Sequence, residues 1–425
     1  MLSRRSSLSH LAVVLVGLFG MIAFSGSAAH AAEVNGIWTD STTKDLGEWT
    51  GVEWLKKIKI RGWIEDYFVH NFNNPSQSTV NANQGSSVVK ANNTTIEGRT
   101  FDVRNDKFRI LLAEVELEKV PTLGEWYGAG FKLDVNWGDD PQIIYDTINQ
   151  GLGGNNTVHP ADKWIQHATV GYVAPIGKGL RFDAGKFVTH IGGETIEGIK
   201  NNNLSHGFLY SYAIPFQDTG VRINYPWSDK IYTELYVLRG WNVTTGDNNR
   251  GLTYGPSVGW TPTPWFNLFL NYLVGPEQRN DDKNLRHLVD AQVFFNTPIP
   301  KLNLLLYGDW ALEENALNSG HKNAHWAGVA GVARYQVTDH LEPAVRLEYY
   351  NDQDGFTTGV NQKLYGVTFT LNCKIPLPKK AKGVSLLIRP EYRFDKSSEG
   401  FFTRHNKFRS KTTQHTVGIA SYLYF

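Results

Sequence analysis

Phe131-Lys132-Leu133-Asp134-Val135-Asn136-Trp137 alternates a large apolar residue with a polar or charged one at every step. In an extended strand this period of two puts Phe131, Leu133, Val135 and Trp137 on one face and Lys132, Asp134 and Asn136 on the other. The rhythm recurs along the chain. Ile58, Ile60, Gly62 and Ile64 alternate with Lys59, Arg61 and Glu65, and Tyr365, Val367, Phe369 and Leu371 alternate with Gly366, Thr368, Thr370 and Asn372. Leu386, Ile388, Pro390, Tyr392 and Phe394 alternate with Arg389, Glu391 and Arg393. One such segment fits a soluble sandwich equally well, so the number and spacing of the segments carry the argument.

Sixteen segments read as strands: 57–70, 107–118, 126–137, 163–174, 180–190, 217–225, 230–241, 252–261, 265–275, 285–296, 302–312, 324–336, 341–351, 363–374, 384–395 and 412–425. The gaps between them alternate in kind. Short ones carry turn residues, as at Pro121–Gly124, Pro175–Gly179, Pro226–Asp229 and Thr338–His340. Long ones, 71–106, 138–162, 191–216, 242–251, 276–284, 313–323, 352–362 and 396–411, are rich in Asn, Gly, Asp and Ser. Short turns at one end and long loops at the other predict an all-β fold, a closed antiparallel transmembrane barrel with short periplasmic turns and long extracellular loops.

Composition agrees. Aromatic residues make up 13% of the chain, charged residues 20%, and 41 of 425 residues are Gly. A single Cys excludes a disulfide framework, and a formal charge of +1 leaves no electrostatic footprint for nucleic acid. Arg4 and Arg5, the uncharged run Leu11 to Phe24 and the small-x-small site Ala29-His30-Ala31 give residues 1–31 the layout of a secretory signal peptide. Its removal deletes those two Arg and no acid, so the formal charge becomes −1. Residues 32–56 read as a short periplasmic segment and 57–425 as the barrel. The longest uncharged run, Gly251 to Pro276, contains Pro256, Pro262 and Pro264, which break a helix. Strands closed into a barrel can cross a bilayer without one.

Trp126, Trp137, Trp164, Trp227, Trp241, Trp260, Trp265, Trp310 and Trp326 fall at or beside strand ends, where indole rings would form interfacial girdles. Val417, Ile419, Leu423 and Phe425 share one face of the last segment. That looks like the terminal signature by which outer-membrane barrels are recognised for insertion, with the assembly machinery as a partner through Phe425.

Four stretches resemble a known family: Ala184-Gly185-Lys186-Phe187-Val188-Thr189-His190-Ile191-Gly192-Gly193-Glu194, then Asn201-Asn202-Asn203-Leu204-Ser205-His206, then Pro215-Phe216-Gln217-Asp218-Thr219-Gly220-Val221-Arg222, and Arg239-Gly240-Trp241-Asn242. Together they are similar to the β-barrel porins of the OmpL-like group. The resemblance is strongest over 180–250, and it implies a pore without implying a substrate.

With apolar sets toward lipid, the alternate residues face inward. They include Arg61, Lys132, Asp134, Arg181, Asp183, Arg222, Glu234, Arg346, Glu348, Arg389, Glu391 and Arg393. Arg or Lys at mid-bilayer on the lipid face would cost roughly 2–4 kcal/mol each, so this many charges predict a water-filled interior. The mixed signs predict no strong ion selectivity. Loop 191–216 is the candidate constriction, with Glu194 and Glu197 facing wall arginines such as Arg181, Arg222 and Arg346. Its Gly and Asn suit tight turns, and opposed charges across a lumen filter solutes by charge and size. Arg61 and Arg389 complete the candidate pore lining. Tyr210, Tyr212 and Phe216 would serve loop packing rather than a sugar track.

Other motifs point elsewhere only weakly. Gly255-Pro256-Ser257-Val258-Gly259 has the nucleophile-elbow pattern without a following helix. Gly151-Leu152-Gly153-Gly154 precedes no dinucleotide-binding helix. Asp352-Gln353-Asp354-Gly355 lacks downstream calcium ligands. His321 and His325, or His190 and His206, could bind metal, but lone loop histidines are usually solvated, and Cys373 falls on an apolar face. The sequence therefore predicts a non-enzymatic diffusion channel for small hydrophilic solutes, without cofactor or metal. It would sit in outer-membrane lipid and could form a homo-oligomer. The rival readings are a saccharide-selective pore, an outer-membrane enzyme with a Ser-His site at its rim, and an adhesin.

Overall fold

The computed structural model describes residues 44–75, 96–150, 160–317, 321–378, 380–381, 383–405 and 407–425. The signal-peptide reading of 1–31 and Gly151–Gly154 lie outside the described residues. Sixteen strands form the wall. They are β1 Lys59–Asn71, β2 Phe108–Lys119, β3 Ala129–Trp137, β4 Ile165–Ala174, β5 Leu180–Val188, β6 Gln217–Pro226, β7 Ile231–Leu238 and β8 Thr253–Thr263. Then follow β9 Phe266–Pro276, β10 Leu285–Asn296, β11 Leu302–Leu317, β12 Lys322–Tyr335, β13 Leu341–Asp352, β14 Gln362–Ile375, β15 Ser385–Ser397 and β16 Thr413–Tyr424. Each pairs antiparallel with its sequence neighbours, and β16 returns to β1 in a ladder from Thr416↔Asn71 to Tyr424↔Trp63. The sheet therefore closes and has no edge.

The closing seam shows why a glycine stands at 62. A Cβ there would meet the Phe425 ring at 2.5 Å. Phe425 N–H donates to Gly62 O at 2.9 Å and Gly62 N–H to Phe425 O at 3.2 Å, so the two ends of the sheet lock together.

Alternation sorts the side chains by face, with the usual polarity reversed. Val170, Leu347 and Phe369 point outward and are 51–68% exposed, whereas Arg346, Arg389 and Arg393 point inward and are fully buried. Such an outer surface suits hydrocarbon, where apolar groups need not be hidden and charges must be. Among the described residues no helix is long and apolar enough to cross a membrane. Four register shifts interrupt the ladders, at Glu65/Asp66 against β2, Asp134/Val135 against β4, Phe266/Leu268 against β8 and Glu313/Leu317 against β12.

Three details depart from the sequence reading or go beyond it. Trp137, Trp164, Trp227 and Trp265 are exposed on the outer surface, but Trp241 and Trp326 are buried. Trp326 donates its Nε1–H inward to Ala213 O at 3.2 Å, and the Arg286 guanidinium lies over both rings. Position near a strand end does not choose the face: parity does for Trp137 and Trp326 within their strands, whereas Trp241 is buried in the loop after β7. Second, the long gap 138–162 contains an α-helix, Asp139–Gln150, with Asp139 and Asp140 in its first turn and Ile143, Ile144 and Ile148 buried. Third, 44–56 is ordered against the wall at the short-turn end. Lys44–Asp45 pairs with Lys59–Ile60, and Asp45 caps a short helix, Leu46–Thr50.

Candidate functional site: the barrel interior and its inner loop

Residues 189–216 run from β5 to β6 through the barrel interior, with a 3-10 turn at Gly198–Lys200 and a helical turn at Phe208–Tyr212. A segment outside any sheet must find other partners for its backbone. Asn201 supplies some: its Nδ2 donates to Thr195 O at 2.8 Å, and its Oδ1 accepts from Thr195 N–H at 3.0 Å. Gly198 lets the loop touch the wall, since a Cβ would lie 2.0 Å from Glu65 Oε1.

The wall grips this loop with charge. Arg346 on β13 donates to Glu194 Oε1 at 2.7 Å and to Ser205 O at 2.5 Å. Arg389 on β15 donates to the carbonyls of Gly198 (2.8 Å), Asn203 (3.0 Å) and Asn201 (2.8 Å), and to Asn372 Oδ1 (2.6 Å). Arg393 donates to His206 O at 2.6 Å. Acids of the wall hold the amides: Glu391 accepts from Leu204 and Ser205 N–H at 2.7 and 3.1 Å, and Glu348 from Phe208 N–H at 2.5 Å. Arg393 also pairs with Glu348 (3.1 Å) and Asp395 (2.7 Å), so these buried charges are mutually compensated. Losing one member of such a set strands the other in a dry site.

The seven candidate pore residues separate into three places. Glu194, Arg346 and Arg389 meet at the loop. Glu197 accepts from Gln166 Nε2 (2.8 Å) and Lys200 Nζ (3.2 Å), and Lys200 reaches Glu116 (2.5 Å), which Arg61 also pairs at 3.2 Å. Arg181 and Arg222 do not meet the loop acids. Both pair with Asp183, at 2.8 and 2.7 Å, because β5 and β6 set Asp183 and Arg222 directly across from one another. Arg393, Glu348 and Glu391 were legible as inward residues, yet nothing in their spacing tells that a loop from another part of the chain covers them.

An apolar core fills the interior between loop and wall. Ile96, Phe101 and Val103 from the segment after β1 pack with Ile196, Ile199, Phe208, Leu209 and Ile214. Tyr210, Tyr212 and Phe216 are buried packing residues. His206 stands edge-on to Phe101 at 4.7 Å and donates from Nε2 to Thr195 O at 2.7 Å. Burial lowers its pKa to about 4, so the ring is neutral at pH 7.

Glu114, Glu116, Asp134 and Glu197 bring ligand oxygens within 4.8 Å of one another, the spacing a metal would need. Lys200, Lys132 and Arg61 already pair with acids of that group, Lys132 at 3.6 Å from Glu116 and 3.4 Å from Asp134. Ser257 lies within β8 and donates to Asn271, with no helix to present it as a nucleophile. Asp352 caps its own turn, accepting from the amides of Phe356, Thr357 and Thr358 at 2.8, 3.0 and 2.7 Å, while Asp354 pairs with Lys322 at 2.5 Å. His190 stacks on Tyr236 at 3.8 Å.

Comparison with known proteins yields a family and a fold. The family model described as "Putative beta-barrel porin-2, OmpL-like" matches residues 57–425. No curated protein matches the sequence. Among solved structures, the outer membrane channel DcaP of Acinetobacter baumannii superposes with a TM-score of 0.50 at 10% identity, covering 87% of this chain and 97% of that one. The anion-selective porin from Comamonas acidovorans gives a TM-score of 0.50 at 9% identity, over 87% and 99% of the two chains. At such identities the likeness is one of fold.

Proposed function

Because this chain belongs to the OmpL-like family of β-barrel porins, we propose that it is an outer-membrane diffusion channel whose lumen is narrowed by loop 191–216. The observation that carries the reading is the grip of Arg346, Arg389 and Arg393 on that loop from inside the wall. An inward loop held by charge-assisted bonds defines a fixed aperture, and a fixed aperture sorts solutes by size without chemistry. Small hydrophilic solutes pass down their gradients, and neither cofactor nor enzymatic step is required. Residues 1–31 direct export, the long loops face outside, and the β16 strand ending in Phe425 presents the barrel to its assembly machinery. The burial of Tyr210, Tyr212 and Phe216 removes the aromatic track that a saccharide-selective pore would use.

The test is conductance of the purified protein in a planar bilayer, beside a variant lacking 195–204. The wild type should form discrete channels, and the deletion should widen them and admit larger sugars. Equal conductance and equal size cut-off in both proteins would place the constriction outside this loop.

A further inference from the structure

We infer that the channel prefers anions, because the inward bases face the lumen water while the acids paired with them lie behind. This rests on the porin reading above and names the charge class of its solutes. Formal charge on the wall is mixed, but in most of its ion pairs the base is the more exposed partner; Lys186 with Asp162, 8% against 17%, and Arg61 with Glu118, 7% against 24%, run the other way. Lys132, Arg181, Arg222 and Lys374 each keep 24–26% of the side chain exposed. Their partners Glu116, Asp134, Asp183 and Glu342 keep 0–4%. Lys200 on the loop repeats the pattern, 19% exposed against 2% for Glu116.

The cause is side-chain length. A carboxylate ends close to its own backbone, whereas Lys and Arg carry charge at the tip of a long stem that can keep its head in water. Around Glu116, Asp134, Asp183 and Glu342 the acid is covered by the bases that pair with it. A solute in the lumen meets the cations directly and meets the acids only through them.

Placement reinforces the effect. Lys132, Arg181 and Arg222 stand on β3, β5 and β6, and Lys374 on β14, with Arg334 of β12 beside Glu342 at 3.8 Å. In a closed sheet of sixteen strands, β3–β6 lie across from β11–β14. Two cationic arcs therefore face one another over the lumen in the half nearer the short turns. Low-dielectric walls concentrate such a field and raise the local concentration of the opposite ion. Glu118 runs against the trend at 24% exposed, but it stands across from Lys59 in the ladder. Glu234, beside Arg222 at 3.6 Å, is 11% exposed. The chemical class implied is the small anion, such as an inorganic anion or a short carboxylate.

Reversal potentials of the full-length protein in a KCl gradient test this. Chloride should permeate severalfold better than potassium at about 0.1 M salt. The ratio should fall toward unity near 1 M, where the screening length shrinks from about 10 Å to about 3 Å. Combining Lys132→Gln, Arg222→Gln and Lys374→Gln should remove most of the preference while leaving discrete channels. Asp183→Asn, which removes a shielded acid, should leave the preference intact or raise it. Discrete channels that favour potassium, or a chloride preference untouched by the triple substitution, would overturn the inference while the porin reading stood. An absence of channels in the wild type would instead sink the porin reading. The salt dependence of the wild type decides the question even where a variant fails to fold.

Discussion

Two groups of arginines share one barrel interior and do opposite things. On β13 and β15, Arg346, Arg389 and Arg393 are fully buried and spend their donors on the carbonyls and acids of loop 191–216. On β5 and β6, Arg181 and Arg222 share one acid, Asp183, and keep a quarter of their side chains in water. Strand parity is the same in both groups, and so is residue type. The difference is whether a loop lies over them. A covered guanidinium is a structural clamp, and an uncovered one is a charge presented to solutes. An inward arginine therefore has no fixed role until its ceiling is known.

The largest effect should come from breaking a clamp. Arg389→Ala would orphan three loop carbonyls and Asn372 Oδ1 in a dry site. Each buried acceptor left without its charged donor costs about 1–3 kcal/mol. Thermal unfolding in detergent should fall accordingly, and the loop should become open to trypsin at Lys200. A variant with wild-type melting and a protected loop would erase the distinction between the two groups.

A smaller effect should follow from acid, and it should fall on the clamped side alone. Burial depresses the His206 pKa from 6.5 to about 4, so the folded loop favours the neutral ring. Its contribution is present in full above pH 6.5 and is lost progressively as pH falls toward 4. Hydrogen exchange of amides 195–210 should therefore be slow at pH 7 and faster near pH 4, after correction for intrinsic rates. His206→Gln should flatten that difference. Exchange that is equally slow at both pH values would show that the ring does not help hold the loop.

The smallest stability effect belongs to the uncovered side. Arg181→Ala leaves Asp183 with Arg222 still 2.7 Å away. A partly solvated pair of this kind contributes about 1 kcal/mol or less. Melting should scarcely move. A loss as large as that of Arg389→Ala would mean that the open cluster is also structural.

How far these roles could be read beforehand depends on the kind of signal. The strands were legible because each carries its own period of two, and each of the sixteen predicted segments coincides with a wall strand to within three residues at either end, except that β11 runs five residues past its predicted end into the expected loop 313–323. Inward and outward faces followed from the same period. The helix Asp139–Gln150 was readable in principle, since Asp139, Asp140 and Pro141 make a helix start and Ile143, Ile144 and Ile148 return to one side. Long-range pairing was not readable. Glu194 meets Arg346 and Ser205 meets Arg393 across more than a hundred residues, and no local pattern records which inward charges lie under the loop. Likewise, the mixed signs along β3, β5 and β6 conceal which charge stands in front, because alternation reports the face of a side chain and not its depth.

The Gly62–Phe425 lock also has a consequence in time. Segments that pair across β1 and β16 are among the most separated in the chain, and bringing such segments together carries the largest entropic cost of closure. Hairpins between neighbouring strands can form early and locally. The seam cannot form until the whole chain has arrived. Throughout that interval β1 offers an unpaired row of amides and carbonyls, the kind of edge on which chains aggregate. The slow step of folding, and the moment at which the protein most needs a chaperone, should therefore be the joining of its two ends.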